Sequence, residues 1–183
     1  MSDQNICMLC AYGDIQGVKK ALEDGADINE TNLNGETGLI LALQRRHNTM
    51  VEMLLQQQDV DVNKADDRGK CALHYAVSLQ RHQNQVVQLL LQRPDIDVNK
   101  VDNYWHSVLH HAVTSDDNSE TIALLLARED LTTINQRDQF GWTPLMDAVR
   151  CHSVNSFNLL LADHRLDLDI RDDYQRSPEE VHR

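Results

Sequence analysis

The chain has 183 residues, 41% of them hydrophobic but only 4% aromatic, and its 17 basic against 29 acidic residues leave a formal net charge of −12. Such a balance repels phosphate backbones and anionic lipid, which argues against nucleic acid and membranes and favours a protein or peptide partner, one with a basic patch where charge enters recognition. No apolar run of about 18 residues occurs and no basic segment precedes an apolar core at the N-terminus, so neither a membrane span nor a secretory signal is expected, and the location expected is the cytoplasm or nucleus.

In chain order, Ile6 to Asn29 gives two short helices, the first with Leu9 and Ala11, the second with Val18 and Leu22. They are separated by Gly13-Asp14 and closed by Gly25-Ala26-Asp27-Ile28-Asn29. Asn32 then opens a turn-and-helix segment running to Ala42, followed by the apolar run Val51 to Leu55 and the closing Asp61-Val62-Asn63. The same order recurs from Asp66 to Ala76, Asp102 to Ala112 and Asp138 to Ala148, with second apolar runs at Val86 to Leu91, Ile122 to Leu126 and Phe157 to Leu161. The copy beginning at Asp138 is the most explicit. Gly141 can take positive φ in the turn, Thr143 can cap the helix, Pro144 fits the first helical position, and Leu145 and Ala148 begin the apolar face. A last copy starts at Asp172 with Ser177-Pro178 and carries Glu179 and Glu180 at its helix start.

The closing residues Asn29, Asn63, Asn99, Asn135 and Asp169 are 34, 36, 36 and 34 positions apart. A turn plus two short helices at a period of about 33 residues, with Leu73-His74-x-Ala76, Leu109-His110-x-Ala112 and Thr143-Pro144-Leu145, resembles the ankyrin repeat over nearly the whole chain. The resemblance implies an all-α solenoid of stacked helix-turn-helix units joined by β-hairpin turns. It divides one domain, residues 1–183, into a cap (6–31), four repeats (32–65, 66–101, 102–137, 138–171) and a partial unit (172–183), in a monomer. Leu90 and Leu126 are expected to be buried between repeats. Gly38 and Ile40 stand where Pro and His are usual, and Trp105 stands where the turn Gly belongs, so that turn changes type or tolerates strain. The third and fourth repeats carry extra residues around Gln80 to Gln85 and Ser115 to Ser119, in loops expected to project on one side.

The nine histidines do not imply a metal. His74 and His110 fall on the signature His, whose ring is expected to hydrogen-bond backbone near the neighbouring turn. His110 and His111 are adjacent on a helix and point about 100° apart, a poor arrangement for one ion with His106. Cys7-x-x-Cys10 has no second pair at zinc-site spacing and no βαβ context for redox chemistry. Neither a nucleophile elbow nor a phosphate-binding Gly loop is present. No catalytic residue, cofactor or metal is expected.

Of the eight Phe, Trp and Tyr residues, five fall on turns: Tyr104, Trp105, Phe140, Trp142 and Tyr174. Exposed aromatics gain nothing from folding, so their placement there points to anchors for a partner, against the alternative of packing between turns. The resemblance carries the concave binding face onto Asp67, Arg68, Lys70, Ser78 and Leu79, then Asn103, Tyr104, Trp105, His106, Thr114 and Ser115. In the next repeat it marks Gln139, Phe140, Trp142, Arg150 and Cys151, with Leu33, Asn34, Glu36, Gln44 and Arg45 at the second. The function implied is non-catalytic protein or peptide binding. One rival is a targeting or substrate-presenting domain of a larger protein; the other is a metal site or enzyme using the His106, His110, His111 region. Asn63 and Asn99, each after Asp-Val and eight residues beyond a Leu, also resemble the context in which ankyrin-repeat asparagines are hydroxylated, although both can simply hold their turns through side-chain hydrogen bonds.

Overall fold

The computed structural model describes residues 5–78, 84–114 and 118–181. Ten α-helices lie in five antiparallel-type pairs: α1 (Ile6–Tyr12) with α2 (Ile15–Glu23), α3 (Gly38–Gln44) with α4 (Asn48–Leu55), α5 (Ala72–Ser78) with α6 (Asn84–Leu91), α7 (Val108–Val113) with α8 (Ser119–Leu126), and α9 (Pro144–Arg150) with α10 (Val154–Leu161). The odd-numbered helices stack in one row, ending on a 3₁₀ turn at Pro178–Glu180, while α4, α6, α8 and α10 stack in a second. No helix among the described residues exceeds nine residues, too short for stability on its own, so order comes from packing between neighbours.

The core is a continuous seam of aliphatic side chains rather than one central cluster: Leu39, Leu73, Leu109 and Leu145 from the first row, Leu54, Leu90, Leu125 and Leu160 from the second, all buried. Leu90 is fully enclosed as expected, whereas Leu126 is only half-buried and Leu125 takes the core place. Gly38, in the position where Pro was expected, is a close-approach residue: a Cβ there would lie 2.6 Å from Cys10 Sγ, so α3 can sit against α1 only without one. Thr143 caps α9 through Oγ1, which accepts from the Met146 N–H at 3.4 Å, with Pro144 at the first helical position.

The expected β-hairpins are not present. No strand forms among the described residues; there are isolated bridges between Thr31 and Thr37 and between Val101 and Ser107. The cause is length. Helix α3 starts at Gly38 and α7 at Val108, one residue past each bridge, so the chain is committed to helix before a second strand pair can form. Of the loops expected to project around Gln80 to Gln85 and Ser115 to Ser119, residues 80–83 and 115–117 lie outside the described residues, while Asn84 opens α6 and Ser119 opens α8. No helix described is long and apolar enough to cross a membrane.

Candidate functional site

Each turn is built around one side-chain acceptor. Asp102 Oδ1 accepts from the N–H groups of Tyr104 at 2.9 Å and His106 at 3.0 Å, and Asp138 Oδ1 from Phe140 and Trp142, both at 2.8 Å. Asn32, Asp66 and Asp172 do the same in their turns. The backbone closes each turn around this hub, as in the bonds from Trp105 N–H to Asp102 O and from Asp102 N–H to His106 O. The residue three beyond the hub is left-handed throughout: Gly35 at φ 73°, Gly69 at 78°, Trp105 at 67°, Gly141 at 79° and Gln175 at 63°. The turn at Trp105 therefore keeps its type and accepts the strained conformation.

Adjacent turns are joined through their tips. The carbonyls of Asn34, Arg68, Tyr104 and Phe140 accept from the N–H groups of Asp67, Asn103, Gln139 and Asp173 in the next turn, at 2.9–3.3 Å. This places Tyr104, Phe140 and Tyr174 at equivalent stations of three consecutive turns, and they are 50%, 54% and 73% exposed. Trp105, on the same tips, is 60% exposed. Trp142 differs. It is half-buried, with the Arg150 guanidinium 5.4 Å and that of Arg176 5.8 Å from its ring centroid, and its Nε1 is enclosed without a hydrogen-bond partner. Beside it opens a cleft of ≈ 380 Å³ lined by His106, Asp138, Phe140, Trp142, Asp147, Arg150 and Tyr174.

His106, in the lining of that cleft, also belongs to a histidine–carboxylate cluster. His111 Nε2 donates to Asp102 Oδ2 at 2.9 Å, His106 Nδ1 lies 3.5 Å from the same oxygen, and His106 Nε2 lies 3.4 Å from Asp138 Oδ2. Burial acts to raise the Asp102 carboxyl, but hydrogen bonds from His106, His111 and the backbone outweigh it and hold the group well below the usual carboxylate range. The bond to Asp102 raises His106. His111 and His110 are lowered by burial, His110 to about 4. Because a carbonyl can only accept, the 3.0 Å contact of His110 Nε2 with Trp142 O puts the proton on Nε2, and Nδ1 accepts the Ser107 N–H. At His110 the signature ring thus bonds the neighbouring turn as expected, whereas His74 Nε2 is buried without a hydrogen-bond partner. Asp147 is raised by burial, with Arg150 opposing at 3.0 Å. At the N-terminal end, burial pushes the Cys7 thiol up to about 11 and Cys10 to about 12, so neither is a ready thiolate.

The expected face residues separate into groups. Asp67, Arg68, Asn103, Tyr104, Trp105, Gln139 and Phe140 are exposed at the tips and Arg150 is exposed at the end of α9. Lys70, His106 and Trp142 are half-buried one station before each helix. Leu79 and Ser115 lie outside the described residues. Glu36 and Gln44 bond each other at 2.7 Å, and Leu33 is fully exposed. Asn63 and Asn99 link neighbouring units, Asn63 Nδ2 donating to Asp95 O at 2.6 Å and Oδ1 accepting from Asp97 N–H at 2.8 Å, with Asn99 repeating this toward Asp130 and Thr132. Asp138 and Asp147 join the cleft without having been expected in the face, whereas Tyr174 was expected among the aromatic anchors. The Arg residues that cap neighbouring helices were also missed: Arg93 donates to Leu55 O and Gln57 O, Arg128 to Leu91 O, and Arg165 to Leu126 O and Arg128 O. Their signal is Arg and Asp two apart at a recurring place: Arg93-Pro94-Asp95, Arg128-Glu129-Asp130 and Asp163-His164-Arg165.

A family model described as ankyrin repeats, three copies, matches residues 6–102 and again residues 83–172. An L-asparaginase from Dirofilaria immitis is 38% identical over 71 residues, which cover 39% of this chain and 12% of that protein.

Proposed function

The chain belongs to the ankyrin-repeat family, and from that premise we propose that it is a non-catalytic interaction module that binds a protein or peptide through its concave face and turns. In this reading it is one domain of a cap, four repeats and a partial sixth unit, with the boundaries drawn above, and it works as a monomer in the cytoplasm or nucleus. The observation that carries the reading is the row of exposed Tyr104, Phe140 and Tyr174 beside the cleft, because interface energy concentrates in aromatic anchors seated next to pockets. The net charge of −12 favours a partner with a basic patch. The binding set is Asp67, Arg68, Lys70, Leu79, Asn103, Tyr104, Trp105, His106, Ser115, Gln139, Phe140, Trp142 and Arg150. Quantitative affinity capture with the wild type, a Phe140→Ala/Tyr174→Ala variant and a Gln56→Ala/Gln92→Ala variant tests it. A partner lost by the aromatic variant and kept by the Gln variant supports the assignment; the reverse pattern sinks it.

A second reading, a targeting or substrate-presenting domain of a larger protein, is favoured by the similarity to a stretch amounting to 12% of an L-asparaginase. Immunoblotting the endogenous protein for its size separates the two. We also propose Asn63 and Asn99 as sites of asparagine hydroxylation. Intact mass after treatment with an asparaginyl hydroxylase, with no added oxygen on either residue, would remove that idea.

A further inference from the structure

Five turns share three stations: the hub, the residue four beyond it, and the residue nine beyond it. They are filled by Asn32, Glu36 and Leu41; by Asp66, Lys70 and Tyr75; by Asp102, His106 and His111; by Asp138, Trp142 and Asp147; and by Asp172, Arg176 and Val181. In two other turns the hub's second oxygen is met by groups that cannot bind a metal well: the Tyr75 hydroxyl donates to Asp66 Oδ2, and Arg176 Nε donates to Asp172 Oδ2 at 2.8 Å, while Asp138 Oδ2 faces His106 Nε2 at 3.4 Å. Only the turn at Asp102 brings a carboxylate and two imidazoles to these stations, with one donor atom from each lying within 4.8 Å of the others.

We propose that Asp102, His106 and His111 form a binding site for a divalent transition cation of the zinc type, one that shares His106 with the proposed partner face. A tetrahedral zinc with bonds of about 2.0–2.1 Å sets its ligand atoms roughly 3.3 Å apart. The His106 Nδ1 to Asp102 Oδ2 distance is 3.5 Å, and the 2.9 Å His111 contact need open by only a few tenths of an ångström. The surroundings of His106 also suit a ligand. Its Nδ1 faces the shared carboxylate while its Nε2 faces Asp138 Oδ2 at 3.4 Å, the arrangement in which an outer carboxylate holds the far N–H of a metal-bound imidazole and fixes its tautomer. On metal binding His106 gives up the Nδ1 proton it directs at Asp102 and keeps the one on Nε2, so the Nδ1 lone pair points into the site. His111 binds by giving up its Nε2 proton, which the present bond to Asp102 uses. Both histidine side chains remain partly exposed, 28% and 14%, so a fourth position opens to the concave side. Softness favours zinc or cobalt over magnesium or calcium, which prefer oxygen ligands.

Two substitutions remove ligands while copying neighbouring turns. Asp102→Asn keeps a hub of the kind Asn32 forms, and His111→Tyr recreates the hydroxyl-to-hub bond of Tyr75. The untagged chain, stripped with chelator, is titrated with zinc chloride by calorimetry and with cobalt followed by visible absorption. One zinc per chain is expected, bound at least tenfold more tightly than by either variant, with a tetrahedral cobalt band in the wild type alone and a zinc-dependent rise in melting temperature that both variants lose. Circular dichroism confirms that the variants are folded. Equal zinc affinity in wild type and variants, meaning an adventitious ion only, overturns the proposal, as does the absence of stoichiometric binding.

Discussion

At Trp105 the backbone is held at φ 67° by a hub-centred turn that its neighbours fill with glycine. A bulky residue there costs about 1–2 kcal/mol, so Trp105→Gly should stabilise the chain by up to about 1 kcal/mol in urea denaturation. The opposite change shows the other half of the constraint. A Cβ on Gly69 would meet Asn103 Oδ1 at 2.6 Å and Asn103 N at 2.8 Å, so Gly69→Ala should cost more than about 1 kcal/mol through strain plus collision. A second residue-scale expectation concerns pH. Burial lowers His74 and His110 from 6.5 to about 4, so within that window the unfolded chain binds more protons than the folded one. Stability should fall as the pH drops from 6.5 towards 4, by about 1.4 kcal/mol per pH unit for each histidine, and level off below. His106 runs the other way, since its raised value contributes fully below 6.5 and is lost as pH rises through the folded value. Urea midpoints across the window follow the three lowered histidines, His74, His110 and His111, and should show acid destabilisation, while the His106 slope lies above pH 6.5. The Trp105 departure was legible in the sequence because the repeat names the residue that belongs there. The half-burial of Trp142 was not, because it depends on Arg176 arriving from the following turn, outside any local pattern.

Among the helices, periodicity disclosed the pairs, their order and the core place of Leu90, since each apolar stripe must be covered by a neighbour, but it put Leu126 where Leu125 is buried. The β-hairpin turns came with the family resemblance and not with periodicity, and the immediate entry into α3 and α7 prevents them. Periodicity also passed over the arginine caps, because an exposed-looking Arg-x-Asp has no apolar signature. Arg93, with 15% of its side chain exposed, is held by Asp95 at 2.9 Å while it closes the end of α4. Arg93→Ala should cost about 1.5–3 kcal/mol, the range for charge-assisted hydrogen bonds, and Arg93→Lys should recover only part of it because a single ammonium cannot reach Asp95 and the carbonyls together. Leu90→Ala should cost about 2–5 kcal/mol by leaving a cavity between α4, α6 and α8, and a matching change in the half-buried Leu126 should cost less. Chemical denaturation of the four variants orders these effects.

For the molecule as a whole, stability is a sum of unit and interface terms rather than the property of one core. The inter-unit bonds follow a rule. Each tip carbonyl receives the next tip's N–H, and each of Asn29, Asn63, Asn99 and Asn135 bonds the loop of the unit after it through both ends of its amide. Every unit therefore presents the same plug on one side and the same socket on the other. Excising residues 66–101 would bring Asn63 to the Asp130 carbonyl and the Thr132 N–H that Asn99 now serves, and Asn34 O to the Asn103 N–H that Arg68 O now accepts, with no backbone group orphaned. That shortened chain should fold cooperatively with a lower melting temperature, whereas removing only half that length should leave it unfolded. The array is thus built from interchangeable parts, and its lineage could lengthen or shorten in whole units, the only step size at which the connectors still mate.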